Sequence, residues 1–271
     1  MIPGIYVEQW RKNAPWQTLA MVEQDLIISR ALVDLYNHKD IAEALVFRGG
    51  TALNKIYINP PARYSEDIDL VQIKSGTIGF LMDAIRDCLS WLGEPKRKLT
   101  ERSAKLVYRY TSLDNMPGKL KIEINTTEHF HLNPLKEIDY QVNSEWFVGT
   151  TKMITYELEE LMATKVKALY ERRKGRDLFD LWLVLDRGLV DPFKVLDLTN
   201  AYCKQTDVKI TRALFEKSLH EKCQNTDFQS DMSFLLANSS NWNFQHALAM
   251  VYDHFVSHLP GDPWKEKKLL F

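Results

Sequence analysis

The sequence predicts a mixed α/β fold, with strands and helices interleaved in the first part of the chain and helices alone in the last. Three observations carry that expectation. Period-two alternation is confined to the first 150 or so of the 271 residues. A Gly-Gly pair, Gly49-Gly50, separates an apolar run from a helix-like segment. Beyond Tyr156 the apolar positions recur at spacings of three and four. The expected division is residues 1–150 for the α/β domain and 151–271 for an all-helical C-terminal domain, with the boundary near Thr150.

The elements follow in order. From Gln17 to Asn37, Leu19, Val22, Leu26, Ile27, Leu32, Val33 and Tyr36 approximate a helical period. Ile41 to Phe47 reads as a strand entering the Gly-Gly turn, and Thr51 to Tyr57 as a short helix stopped by Asn59-Pro60-Pro61. Arg63 to Leu70 alternates Tyr64, Ile68 and Leu70 with Arg63, Ser65, Asp67 and Asp69, so a strand here puts both aspartates on one face. Ile78 to Leu92 is amphipathic and completes a βαβ-like order. Lys105 to Thr127 reads as a hairpin turning at Asp114-Asn115-Met116-Pro117-Gly118, and its second arm, Lys119 to Asn125, sets Glu123 opposite Leu120, Ile122 and Ile124. Helices are expected at Glu157–Arg173, Asp177–Leu185, Pro192–Cys203, Thr211–Cys223 and Asn243–Leu259; in the last, Phe244, Leu248, Val251, Phe255 and Leu259 form a core-facing stripe.

Composition narrows the classes of function. The apolar and charged fractions, 45% and 26%, are those of a globular protein, and a net charge of -1 excludes a surface coated in positive charge for DNA. Cys88, Cys203 and Cys223 are odd in number and lack zinc-ligand spacing. No apolar run has the length of a signal peptide or a membrane span, so the expected compartment is the cytoplasm.

The chemistry concentrates in three places. Asp67, Asp69 and Glu123 form a carboxylate set suited to Mg²⁺ or Mn²⁺, because carboxylates on one face repel unless a cation lies between them. The bland alternative is a solvated strand face on which Glu123 pairs with Lys121. Gly49, Gly50 and Thr51 open a helix start whose N–H groups can hold phosphate, with Thr51 otherwise an N-cap; Ser65 and Arg63 share the aspartate face and could touch phosphate or stay exposed. In the helix from Glu157, Lys165 falls inside the apolar stripe and either snorkels to water or binds triphosphate. Lys165, Lys167, Arg172, Arg173, Lys174 and Arg176 stand against Glu171 alone, a local positive surface for a nucleic-acid backbone or a solvated helix end. Asp177 and Asp180 read either as a helix cap or as acids that orient Lys165 or the acceptor, with Arg176 meeting phosphate. His129 and His131 read as hairpin-end residues, and no Ser-His-Asp or Cys-His arrangement is present.

These blocks together resemble the nucleotidyltransferase toxins of the AbiEii type, with the related MenT toxins, in the DNA polymerase β-like nucleotidyltransferase superfamily. The resemblance runs from Val22 to Leu185. Gly49-Gly50-Thr51-Ala52-Leu53 with Arg63-Tyr64-Ser65-Glu66-Asp67-Ile68-Asp69 resembles the first motif, Lys121-Ile122-Glu123-Ile124 the third-carboxylate strand, Lys165 to Arg172 the lysine helix, and Arg176-Asp177-Leu178-Phe179-Asp180 the final motif. The resemblance implies a polymerase β-like domain binding NTP in a cleft against the helical domain, with Asp67, Asp69 and Glu123 on the metal. It further implies transfer of NMP from NTP to an acceptor such as the 3′ end of tRNA, growth arrest, and an AbiEi-like antitoxin partner. The wider superfamily commonly has Gly-Ser where this chain has Gly-Gly-Thr. A non-enzymatic nucleic-acid-binding module and the nucleotidylation of a protein or small molecule are the rival expectations.

Overall fold

The computed structural model describes residues 2–237 and 241–265. The apolar tail end, Leu269 to Phe271, lies outside the described residues. The chain forms two compact units, one of residues 1–156 with 236–238 and one of the remainder. The division therefore falls after Tyr156 and not at Thr150, because strand pairing continues through Thr155.

In the first unit, α1 (Gly4–Trp10) precedes α2 (Leu19–Tyr36), which starts where the Thr18 hydroxyl accepts a hydrogen bond from the Met21 N–H at 3.3 Å. Residues 41–44, expected as strand, belong to α3 (Lys39–Ala44), and β1 is only Leu45–Arg48. The Gly-Gly pair opens α4 (Gly49–Ala52), which continues as a π turn over Leu53–Tyr57. β2 (Asp67–Gln72), α5 (Ile78–Cys88), a 3₁₀ turn at Ser90–Leu92, β3 (Lys96–Leu99), β4 (Ser103–Thr111), β5 (Pro117–Asn125), β6 (Lys136–Ser144) and β7 (Phe147–Thr155) complete the unit.

The seven strands lie in the order β3-β4-β5-β2-β1-β7-β6. β2 runs parallel to β5, and β1 parallel to β7; the other pairs are antiparallel. β1 and β2 are thus not the parallel pair a βαβ unit requires. The β6–β7 hairpin escaped the sequence reading, although Ile138, Tyr140 and Val142 alternate with polar residues there. Ile68, Leu70, Ala104, Leu106, Tyr108, Leu120, Ile122 and Ile124 are all buried, on the face that α2 and α5 cover. Period-two geometry then leaves Asp67, Asp69, Lys105, Lys121 and Glu123 on the opposite, half-exposed face.

The second unit is helical: α6 (Leu158–Glu171), α7 (Gly175–Asp186), α8 (Pro192–Gln205), α9 (Arg212–Cys223), α10 (Thr226–Ser230) and α11 (Phe244–His254), with a 3₁₀ turn at Val256–His258. Asp191, Thr211 and Asn243 cap α8, α9 and α11 with their side chains. Leu248, Val251, Phe255 and Leu259 are buried, so most of the last stripe faces the core, while Phe244 is only half-buried.

Candidate active site

The strand register builds one polar row across four strands. Arg48 of β1 lies opposite Asp69 of β2, Asp69 opposite Glu123 of β5, and Glu123 opposite Lys105 of β4. One step along, Asp67 lies opposite Lys121. The three predicted carboxylates thus share one sheet face on two adjacent parallel strands, accompanied by Lys121, the partner named in the bland alternative, and by Lys105 and Arg48, which the sequence reading did not place there.

Those cations are engaged. Lys121 Nζ lies 2.8 Å from Asp67 Oδ2 and 3.1 Å from Glu123 Oε2, while Lys105 Nζ lies 2.7 Å from Glu123 Oε1. Burial works to raise the Glu123 carboxyl, but the hydrogen bonds from Lys105 and Lys121 win and hold it below the ordinary range. For Lys121, burial opposes the charge and is outweighed by the hydrogen bond and attraction from Asp67, then by Glu123, so its ammonium is held more firmly. At the row's end Arg48 Nη1 meets Glu128 Oε2 at 2.5 Å. Among the described residues no three His, Cys, Asp or Glu side chains converge as a finished metal cage. The donors nevertheless suit a hard divalent ion in type: three carboxylates, all on a half-exposed face.

Both glycines have a steric reason. Gly49 has φ of +81°, and a Cβ there would sit 2.3 Å from Asp69 Oδ2. A Cβ on Gly50 would sit 2.0 Å from Arg63 Nη2. Arg63 is consequently not an exposed member of the aspartate face: it is 1% exposed, pairs as an isolated bridge with Leu236, and donates to the Tyr64 carbonyl at 3.0 Å. Strand β2 begins only at Asp67, so the alternation from Arg63 did not mark a strand.

Thr51 is not the N-cap; Arg48 occupies that position. The buried Thr51 hydroxyl instead donates to the Asp67 carbonyl and accepts from the Ser65 hydroxyl at 2.7 Å, tying α4 to the start of β2. Thr51 and Ser65 also line a pocket of about 360 Å³ with Trp10, Trp16, Lys55 and Arg63. In its wall, Asp25 accepts from Trp10 Nε1 at 2.9 Å, Trp16 Nε1 at 3.2 Å and Lys55 Nζ at 2.6 Å, so the acid is fully satisfied.

In the helical unit, Lys165 neither snorkels nor offers a bare ammonium. It is 4% exposed, with Nζ 3.1 Å from Asp177 Oδ1 and 2.8 Å from Asp180 Oδ2. Asp177 is not an N-cap, since α7 starts after Lys174. Its carboxylate also takes two hydrogen bonds from Arg172, at 2.7 and 2.8 Å. Burial would raise the Asp177 carboxyl, but Lys165 and then Arg172 hold it well below the usual carboxylate range. Arg176 is half-buried, and its backbone N–H donates to Asp231 Oδ2 at 3.0 Å. Lys167 is held by Glu171 at 3.2 Å, leaving Arg172, Arg173 and Lys174 as the exposed part of the basic stretch. His129 and His131 each bond a main-chain carbonyl at 2.7 Å.

A mixed sheet thus carries three carboxylates on one face beside a Gly-Gly helix start. Residues 30–250 match the family described as nucleotidyl transferase AbiEii toxin, type IV TA system. The chain belongs to the AbiEii nucleotidyltransferase toxin family, and is therefore a nucleotidyltransferase toxin of a type IV toxin–antitoxin system, with an NTP substrate and an antitoxin partner. Its fold is similar to that of MenT4, a nucleotidyltransferase toxin from Mycobacterium tuberculosis H37Rv, with TM-score 0.58 and 17% identity over 96% of this chain and 91% of that one. An antigenic nucleotidyltransferase-like protein from Paracoccidioides brasiliensis aligns over 78% of this chain and 94% of its own, at 13% identity and TM-score 0.35. No curated protein matches. No helix among the described residues is long and apolar enough to cross a membrane.

Proposed function

We propose that the polar sheet face of the first unit is the transfer site, that the ion it uses is Mg²⁺ or Mn²⁺, and that the acceptor is the 3′ end of tRNA. The observation that carries this reading is the parallel register Asp67↔Lys121 and Asp69↔Glu123, with Gly49 against the Asp69 carboxylate. Asp67, Asp69 and Glu123 would hold the ion, which when bound supplies Lewis-acid stabilisation of the phosphate oxygens.

The chain's own groups do the rest. The first N–H groups of α4, at Gly49 and Gly50, have no partners within the helix and are suited to NTP phosphate oxygens. Thr51 acts by fixing Ser65 and the start of β2. The acceptor hydroxyl attacks the α-phosphorus, the bond to the β-phosphate oxygen breaks, and pyrophosphate leaves; the hydroxyl proton passes to a carboxylate of the same face. Lys165 and Asp177 are positioning residues that hold α6 to α7, and the exposed Arg172, Arg173 and Lys174 suit an RNA backbone. A soluble cytoplasmic site of action accords with this acceptor.

The test is purified protein with each labelled NTP, Mg²⁺ and total RNA, alongside protein and aminoglycoside acceptors. Label on tRNA 3′ ends that disappears with Asp67→Asn is the expected result. Label only on protein or a small molecule would replace the acceptor, and transfer to nothing, the enzyme itself included, would sink the reading.

A further inference from the structure

Lys121 stands where a cation is needed. It is the residue of β5 that reaches two of the three carboxylates at once, 2.8 Å from Asp67 and 3.1 Å from Glu123, while Lys105 reaches Glu123 alone at 2.7 Å. The placement follows from register: in parallel pairing Lys121 lies beside Asp67, and Glu123, two residues on, projects from the same face. Without that ammonium, clustered carboxylates would repel one another in the metal-free protein. With it, two of the carboxylates turn to lysine instead of to a common centre, and among the described residues no finished cage forms.

Side-chain exposures of 30% for Lys121, 28% for Asp67 and 27% for Glu123 leave these pairs open to water. Ion pairs in such surroundings are weak, and so can be exchanged for a divalent ion.

We propose that Lys121 is a built-in counter-ion, which occupies the place of the divalent ion in the free enzyme and must leave Asp67 and Glu123 for the ion to bind. This rests on the reading of Asp67, Asp69 and Glu123 as the metal face. The lysine keeps the empty site folded and sets the threshold of metal concentration at which the site loads.

The experiment is Mn²⁺ titration followed by electron paramagnetic resonance, without NTP, on wild type, Lys121→Met, Lys121→Arg, Lys105→Met and Asp69→Asn. Lys121→Met should bind Mn²⁺ roughly tenfold more tightly, the equivalent of its two weak ion pairs no longer competing. Lys105→Met, which frees only Glu123, should gain less, and Lys121→Arg should return to near wild type. Melting temperatures should move in parallel: Lys121→Met lower than wild type without Mn²⁺, and raised more by adding it. Equal or weaker binding by Lys121→Met, with wild-type binding still lost in Asp69→Asn, overturns the counter-ion and leaves the metal face standing. Absence of Mn²⁺ binding in every variant removes both.

Discussion

The sheet face of the first unit and the Lys165 cluster of the second use the same groups to opposite ends. Each sets lysine against two carboxylates at about hydrogen-bond distance: Lys121 with Asp67 and Glu123, Lys165 with Asp177 and Asp180. They differ in burial. Asp67 and Glu123 keep more than a quarter of their side-chain surface, whereas Asp177 and Asp180 keep none. An ion pair in water is weak and exchangeable; one stripped of water cannot lose a partner without leaving a bare charge in the interior. On the proposed reading the exposed cluster therefore serves as the site, and the buried one as a joint.

The comparison breaks first on activity. Asp69→Asn should reduce nucleotidyl transfer by on the order of a thousandfold, the loss of several kcal/mol of charge stabilisation, with little change in the unfolding midpoint. If transfer survives, the exposed cluster is not the site. Asp177→Ala should do the reverse of this in stability, costing about 3 kcal/mol in urea unfolding because it leaves the buried Lys165 with Asp180 as its one remaining acid of the pair. An unchanged midpoint would mean the joint is not a joint.

The pH dependence sharpens the second case. The Asp177 carboxyl is depressed in the folded chain, so its stabilisation is complete above the ordinary value of about 3.9 and is lost as pH falls through that value toward the folded one. Acid unfolding followed by tryptophan fluorescence should lose that low-pH dependence in Asp177→Asn.

Gly49→Ala should cost roughly 1–2 kcal/mol for the positive φ alone. It should also lower transfer, since the new methyl displaces the Asp69 carboxylate. Full activity at wild-type stability would mean that the close approach is not used.

The smallest effect is at Lys222, which donates to the Leu169 and Tyr170 carbonyls and which burial lowers to about 8. A lysine depressed on folding costs stability while both states are protonated. Stability should therefore rise slightly between about pH 8 and the ordinary lysine value, and Lys222→Met should flatten the rise.

Much of this was legible because it is local. Alternation along Lys119 to Asn125 is enough to put Glu123 on a polar face, and the side chains of Asp191, Thr211 and Asn243 announce helices within three residues. What misled was local too: Arg63 begins an apparent alternation four residues before the strand itself starts at Asp67, and nothing near Lys165 in its apolar stripe announces the acids that meet it from the next helix.

By itself, then, the sequence determined the mixed α/β class followed by helices, the three carboxylates and the turn beside them, since each depends on a period or a neighbour a few residues away. Tertiary structure alone decided that Lys121 and Lys105 stand against those carboxylates, that Gly49 makes room for Asp69, and that Lys165 is locked between two aspartates. These are pairings across strands and helices: β5 lies some fifty residues after β2, and no periodicity within either one states their register.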